Sequence, residues 1–130
     1  MHIYTVTLFG EAEKGEYRFP YVCNNLAELV DFLGNPPEQS RGLFYAIQAL
    51  LYNRQLIFFR VKEEGFSLPD YVGGVTLLKN HQIDTDITAF CLPGVGNSEI
   101  LEAVTPVCQE YHSILITSEA DFYDYLMQAA

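Results

Sequence analysis

Two runs of mostly apolar residues constrain the fold of this chain more than any other feature. They cover residues 56–61 (LIFFRV) and 87–92 (ITAFCL). Runs of this kind indicate strands covered on both faces, because a strand with one face in water alternates apolar and polar residues. Segments with helical spacing alternate with strands along most of the chain. We therefore expect both runs at central positions of a mainly parallel sheet.

The other elements follow from local signals. Strands are also predicted at about 3–9 and 113–117, and Pro20 confines a short extended piece at 17–22 to a sheet edge. Helices are predicted from the cap Asn25 to Gly34, over 43–51, from Asn97 or Ser98 with a kink or early end at Pro106, and from Ser118 onward. In the second of these helices, the three-four spacing predicts one buried stripe, formed by Leu43, Phe44, Ile47, Leu50 and Leu51. Residues 63–74 are predicted as a loop, with one helical turn at 75–78. The predicted fold is a single three-layer α/β domain over residues 1–130, with about four strands and helices on both faces.

Composition favours a folded intracellular chain. Of 130 residues, 49% are hydrophobic and 18% are charged, which excludes a wholly disordered chain. No apolar run reaches the roughly 18 residues that a membrane span needs, and the first residues lack the basic start of a signal peptide. Cys23, Cys91 and Cys108 are too scattered for a disulfide scaffold or a zinc knuckle. We expect a cytoplasmic protein with reduced thiols.

The charge is strongly negative and unevenly spread. The formal net charge is −10, so a nucleic acid would be repelled and is not expected as a partner. Residues 1–62 contain six bases and six acids, whereas residues 63–130 contain eleven acids and one base, Lys79. The acidic half is either a solvated surface or a face that recognises a basic partner.

The turn at residues 92–98 (LPGVGNS) is the best candidate for a ligand site. It leaves a predicted buried strand and enters a helix, so Gly94, Gly96, Asn97 and Ser98 are candidates for binding an anion. The turn lacks the third glycine of a dinucleotide motif and the Gly-Lys-Ser/Thr of a phosphate loop. A Pro-Gly turn followed by a helix cap explains it without a ligand.

No other pattern indicates catalysis or a metal. Asp84 and Asp86 stand two apart, as Mg²⁺ ligands can, but they precede a strand, whereas ligands bind beyond the carboxyl ends of strands. His2, His81 and His112 have no carboxylate at helical metal-site spacing. No serine lies in a Gly-x-Ser-x-Gly elbow, and no thiol has a base at a readable spacing. We expect a protein that is not an enzyme and that needs no metal or cofactor.

Aromatic residues provide the candidates for protein contacts. The chain has nine Tyr, nine Phe and no Trp. Tyrosine combines a large apolar body with a polar tip, which suits both an interface and the half-buried rim of a core. With the arginines of the neutral half, the interface candidates are Arg18, Arg41, Tyr45, Tyr52, Arg54, Tyr111, Tyr123 and Tyr125.

Several segments, taken in order, resemble the tail sheath proteins of contractile phage tails and related injection machines. In that family a strand enters a Phe-Val-Gly-x-x-x-x-Gly turn, a later strand carries Val-Val-Arg-Val, and a strand ending in Pro-Gly precedes a helix ending in Tyr-Cys. The similar segments here are TLFGEAEKG at 7–15, PYV at 20–22, AELVDFLG at 27–34, FYAIQALLYN at 44–53, IFFRV at 57–61, ITAFCLPG at 87–94, VC at 107–108 and ILIT at 114–117.

The resemblance implies a structural or assembly protein that acts by self-association or by binding a tail component. It also implies a place in a virion or assembled particle. The similar segments do not include the C-terminal domain through which sheath subunits interlock, so contraction is not implied. A homo-oligomer with a salt-sensitive head-to-tail contact would join the bases of one copy to the acids of the next. The alternative is a small cytoplasmic protein that binds or hydrolyses an anionic small molecule at Pro93–Ser98.

Overall fold

A five-stranded sheet forms the middle layer of the molecule. The computed structural model describes residues 4–80 and 86–128, so the predictions that involve Ile3, His2, His81 and Asp84 lie outside the described residues. The strands are β1 (Thr5–Gly10), β2 (Tyr21–Cys23), β3 (Gln55–Arg60), β4 (Ile87–Cys91) and β5 (Ile114–Ile116). Their order is β2-β3-β1-β4-β5, with β2 antiparallel to β3 and all other pairs parallel.

The two apolar runs lie inside the sheet, as predicted. Strand β1 occupies the middle, and β3 and β4 flank it, so neither of these two strands is at an edge. The fifth strand, β2, adds to the four predicted main strands. Among the described residues it pairs only with β3, and it lies at a sheet edge, as predicted from Pro20.

Within the described residues, five helices cover the two faces of the sheet. They are α1 (Leu26–Leu33), α2 (Gly42–Leu51), α3 (Leu68–Asn80), α4 (Ser98–Glu110) and α5 (Glu119–Gln128). Helices α1, α2 and α5 bury one set of side chains against the sheet, and α3 and α4 bury the set on the opposite face. The predicted three-layer α/β fold is therefore confirmed. None of the described helices has both the length and the apolar character needed to cross a membrane.

The predicted helix caps are present. The Asn25 side chain accepts a hydrogen bond from the Glu28 N–H at 2.9 Å, and the Ser118 hydroxyl accepts one from the Asp121 N–H at 3.2 Å. Gly34 has a φ of +75° at the end of α1, a conformation that favours glycine. The local signals thus placed these helix ends correctly.

The prediction of a loop over residues 63–74 holds for residues 63–67 and is wrong from Leu68 onward. Helix α3 begins at Leu68 and includes Gly73 and Gly74. A Cβ atom on Gly74 would lie 2.6 Å from Cε2 of Phe9, so the glycine allows the helix to press onto the sheet. The Gly-Gly step therefore marks close packing rather than a break.

The expectation that Pro106 shortens its helix is also wrong, because α4 continues to Glu110. Pro106 is exposed, and the Thr105 hydroxyl donates to the Leu101 carbonyl at 2.7 Å on the preceding turn. Proline has no N–H, so the carbonyl of Glu102, four residues earlier, lacks its helical donor. Both residues are exposed, and water can therefore satisfy this carbonyl.

Candidate functional site

Helices α2 and α5 lie side by side and are tied together at three levels. At their amino ends, Nη1 of Arg41 lies 3.5 Å from Oε2 of Glu119. In the middle, the rings of Tyr45 and Phe122 stack with centroids 4.7 Å apart. Beyond the carboxyl end of α2, Nη2 of Arg54 donates to the Leu126 carbonyl at 3.0 Å. The outer sides of the two helices therefore form one continuous surface.

This surface carries large apolar side chains that nothing in the described chain covers. Phe44 is 56% exposed, Leu51 59%, Tyr123 39% and Met127 55%. Phe44 and Leu51 are seven residues apart on α2, and Tyr123 and Met127 are four apart on α5, so each pair shares one side of its helix. We call these four residues, with Gln48 and Glu119, the α2–α5 surface.

A cavity of about 400 Å³ opens between the two helices at the amino-terminal end of this surface. Phe44, Tyr45, Gln48 and Tyr123 line it, and the Arg41–Glu119 ion pair lies at its edge. Tyr45 is buried, and this burial raises the pKa of its phenol, with the Glu119 carboxylate acting in the same direction and Arg41 opposing it. Three of the residues that line the cavity are aromatic and the other five are polar or charged, so a side chain inserted from a partner would meet both apolar surface and hydrogen-bonding groups.

The structure brings together three of the residues predicted for protein contacts, Arg41, Tyr45 and Tyr123, at this cavity. Tyr52 is exposed one residue after Leu51, at the other end of α2. Sequence reasoning missed Phe44 and Leu51, which it assigned to the buried stripe of their helix, and it did not name Met127 as a contact residue. The available signal was that α2 is apolar around its whole circumference, so that a helix lying on a sheet must leave some apolar residues exposed.

Arg54 and Tyr125, two further interface candidates, are buried inside the domain instead of exposed. The Arg54 guanidinium donates to the Tyr52 carbonyl at 2.6 Å and lies 5.2 Å from the centre of the Tyr125 ring. The Tyr125 hydroxyl is 2.6 Å from the Thr88 hydroxyl. These side chains hold α5 against α2 and the sheet, and neither is an exposed anchor for a partner.

Tyr111 and Arg18 lie away from the α2–α5 surface. The Tyr111 hydroxyl donates to the Leu78 carbonyl at 2.8 Å, which joins α4 to α3 on the opposite face of the sheet. Arg18 lies beside a second cavity, of about 550 Å³, where its Nε is 3.4 Å from Oδ1 of Asp70. The other oxygen of Asp70 accepts the Lys62 N–H at 2.8 Å, so this carboxylate is already engaged within the chain.

The predicted anion-site residues form a turn and a helix cap. The Asn97 side chain accepts from the N–H groups of Glu99 and Ile100, at 2.8 and 3.3 Å, which uses two of the free amides at the start of α4. Gly94 and Gly96 are exposed within the turn, and Ser98 is exposed at the first position of α4. Neither of the two cavities described above includes a residue of this turn.

At the carboxyl edge of the sheet, a loop of the chain itself occupies the place where α/β proteins usually bind ligands. The Glu64 carboxylate accepts the N–H groups of Glu11, Arg41 and Gly42 at 2.9, 2.9 and 3.0 Å. A Cβ atom on Gly65 would lie 2.5 Å from the Gly94 carbonyl oxygen, so the loop after β3 packs against the loop after β4. The amino end of α2 thus already holds an anion, which belongs to the chain itself.

The three cysteines are shielded from solvent. All three cysteines are buried and free, and burial raises the pKa of Cys23 and of Cys108 to about 12 and that of Cys91 further. Thiols with such pKa values are protonated and unreactive at neutral pH. Within residues 4–80 and 86–128, no three His, Cys, Asp or Glu side chains come together as metal ligands.

Comparisons with known protein families, with curated protein sequences and with solved structures found no match to this chain.

Proposed function

We propose that this domain is a non-enzymatic structural or assembly protein that binds another protein through the α2–α5 surface. The observation that carries the proposal is the exposure of Phe44, Leu51, Tyr123 and Met127 on two helices locked side by side. Neighbouring exposed apolar residues around a cavity are typical of protein-binding surfaces. The resemblance to tail sheath proteins provides the proposed setting, a phage tail or related injection machine.

Rigidity supports this choice of surface. The Tyr45–Phe122 ring stack and the buried Arg54–Leu126 hydrogen bond hold both helices in place before any partner arrives, whereas the exposed Arg41–Glu119 ion pair adds little. A preformed surface loses less conformational entropy on binding than a flexible one, so more of the contact energy appears as affinity. A cavity between two fixed helices, lined by Phe44, Tyr45 and Tyr123 together with polar groups, is suited to receive an anchor side chain from a partner.

Site-specific crosslinking tests the proposal. The photoreactive residue benzoylphenylalanine replaces Phe44 in the full chain, expressed in the cells that naturally produce it, and the control carries it at Phe66, which is 67% exposed and lies outside the surface. We expect a light-dependent protein adduct of defined mass at position 44 that the additional change Tyr123→Asp abolishes. Adducts equally abundant at both positions, or none at position 44, would contradict the proposal.

A further inference from the structure

The charge around the α2–α5 surface is acidic and largely uncompensated. Residues 80–130 contain no Lys or Arg, so helices α4 and α5 carry only acidic charges. Asp121 and Asp124 are exposed one turn apart on α5, and Asp124 directly follows Tyr123; we call this pair the acidic rim. The Arg41–Glu119 ion pair is at the end of the surface, and neither residue of the acidic rim has an ion pair within the described residues.

Most bases of the neutral half are engaged elsewhere. Arg18 contacts Asp70, Arg41 contacts Glu119, and Arg54 donates to backbone carbonyls. Arg60 donates to the Gly15 carbonyl at 2.6 Å and lies over the Tyr17 ring. The other two bases, Lys14 and Lys62, are exposed but lie outside the helices, so no helix of this half offers a basic face to the acidic rim.

We infer that the α2–α5 surface binds a basic amphipathic helix of another protein, an inference that rests on the proposed function and specifies its partner. Two parallel neighbouring helices form a groove into which a third helix fits with apolar residues at i, i+3, i+4 and i+7. The exposed residues run from 44 to 51 on α2 and from 119 to 127 on α5, each a length of about 10–12 Å. A partner helix of two to three turns covers that length, with its Lys or Arg side chains facing the acidic rim.

A second copy of this chain does not supply such a helix. Among helices α1 to α5, Lys79 is the only Lys or Arg, and it is at the end of α3. The exposed apolar residues of α1 are accompanied by the acids Glu28 and Asp31, which the acidic rim would repel. Nucleic acids and anionic membranes would also be repelled, because their phosphates carry the same sign of charge as the rim.

A matched pair of peptides tests the inference. Both are 14 residues long and carry leucine at the i, i+3, i+4 and i+7 spacing along one side of the helix. The other positions are mostly lysine in one peptide and mostly glutamate in the other. We expect the lysine peptide to bind the full chain one to one in fluorescence anisotropy at physiological salt, and the glutamate peptide not to bind. Removing the anchors by Phe44→Ala with Tyr123→Ala should weaken binding more than about tenfold.

Charge variants separate a specific rim from general attraction. Asp121→Asn with Asp124→Asn should weaken lysine-peptide binding about fivefold, since each exposed ion pair contributes modestly. The matched control Glu102→Gln with Glu110→Gln removes the same charge from α4, on the opposite face, and should change binding less than about twofold. Circular dichroism confirms that each exposed-residue variant is folded.

Each remaining outcome decides between the inference and the proposed function. Equal loss in the two charge variants, with no loss on changing Phe44 and Tyr123, would show non-specific attraction and overturn the inference. If both peptides bind and both require Phe44, the basic partner is refuted while the proposed function stands. If neither peptide binds, the inference is overturned, and the crosslink at Phe44 decides the proposed function separately. A dimer in sedimentation that Phe44→Ala dissociates would replace the basic helix by a second copy.

Discussion

Substituting Glu64 tests how the carboxyl edge of the sheet is held to helix α2. The first turn of α2 has no cap of its own, because the Arg41 side chain makes no capping hydrogen bond. The Glu64 carboxylate, from the loop after β3, accepts the N–H groups of Arg41 and Gly42 and also that of Glu11 after β1. In return, the Glu11 carboxylate accepts the Glu64 N–H at 3.0 Å. One side chain thus joins a helix and two strand ends.

The cost of Glu64→Ala follows from three lost hydrogen bonds. A hydrogen bond to a charged group contributes about 1.5–3 kcal/mol, and a typical one about 1 kcal/mol. Glu64 is half-buried and the Glu11 carboxylate is close to it, so we use about 1 kcal/mol for each bond and expect a loss of about 3 kcal/mol. For 130 residues, an unfolding entropy of roughly 2.1 cal/mol/K per residue converts this loss into a Tm lower by about 11 °C.

Thermal and urea denaturation of Glu64→Ala measure this effect, with Glu63→Ala as the matched control. The Glu63 side chain is exposed, and its removal should change the unfolding free energy by less than about 0.5 kcal/mol. In Glu64→Gln, amide hydrogen exchange at Arg41 and Gly42 should become faster while distant strand amides keep their protection. A Tm for Glu64→Ala within about 2 °C of the Glu63→Ala value would refute the reasoning.

Three further predictions concern the interior. Arg54→Met should lower the unfolding free energy, measured in urea, by about 2 kcal/mol, because the Tyr52 and Leu126 carbonyls lose their donor and the Tyr125 ring loses its cation. A change below about 0.5 kcal/mol would contradict this. Gly74→Ala should destabilise by about 2 kcal/mol through its clash with the sheet, whereas Gly73→Ala meets only a flexible side chain and should be tolerated; equal effects would contradict the packing argument. Native Cys23 and Cys108, with pKa values of about 12, should not react with Ellman's reagent at pH 8 but should react after urea unfolding. Because these pKa values are higher in the folded state, stability should fall as the pH rises above about 8.5, where the unfolded thiols ionise.

The sequence predicted the sheet because burial on both faces leaves an unambiguous mark on a strand. The apolar runs ending at Val61 and Leu92 carry almost no polar residue, and the structure places both strands inside the sheet. Helix α3 was missed because Gly73 and Gly74 are poor helix formers in isolation. Tertiary contact outweighs this preference here, since only glycine lets α3 approach Phe9 closely.

The candidate site was only partly predictable. Helix α2 is apolar on all sides, and its sequence alone does not tell that Ala46 and Ala49 face the sheet while Phe44 and Leu51 face outward. Leu43 is buried as predicted, but Phe44 and Leu51 of the predicted stripe are exposed, and Tyr45, Ala46 and Ala49 are buried in their place. Arg54 was expected at the surface because arginine usually is, and its carbonyl partner Leu126 is 72 residues away along the chain.

Arg54 connects the stability of the domain to the proposed binding. Its guanidinium holds the carboxyl-terminal end of α5, where a positive charge also interacts favourably with the helix dipole. If this tie is lost, Tyr123 and the acidic rim are no longer held opposite Phe44, although none of these side chains has changed. Arg54 therefore acts as a positioning residue: Arg54→Met should weaken lysine-peptide binding while the folded fraction, measured at the same temperature, stays near that of the wild type. Arg54→Lys should restore part of the binding, because it returns the charge near the Leu126 carbonyl without the second hydrogen bond.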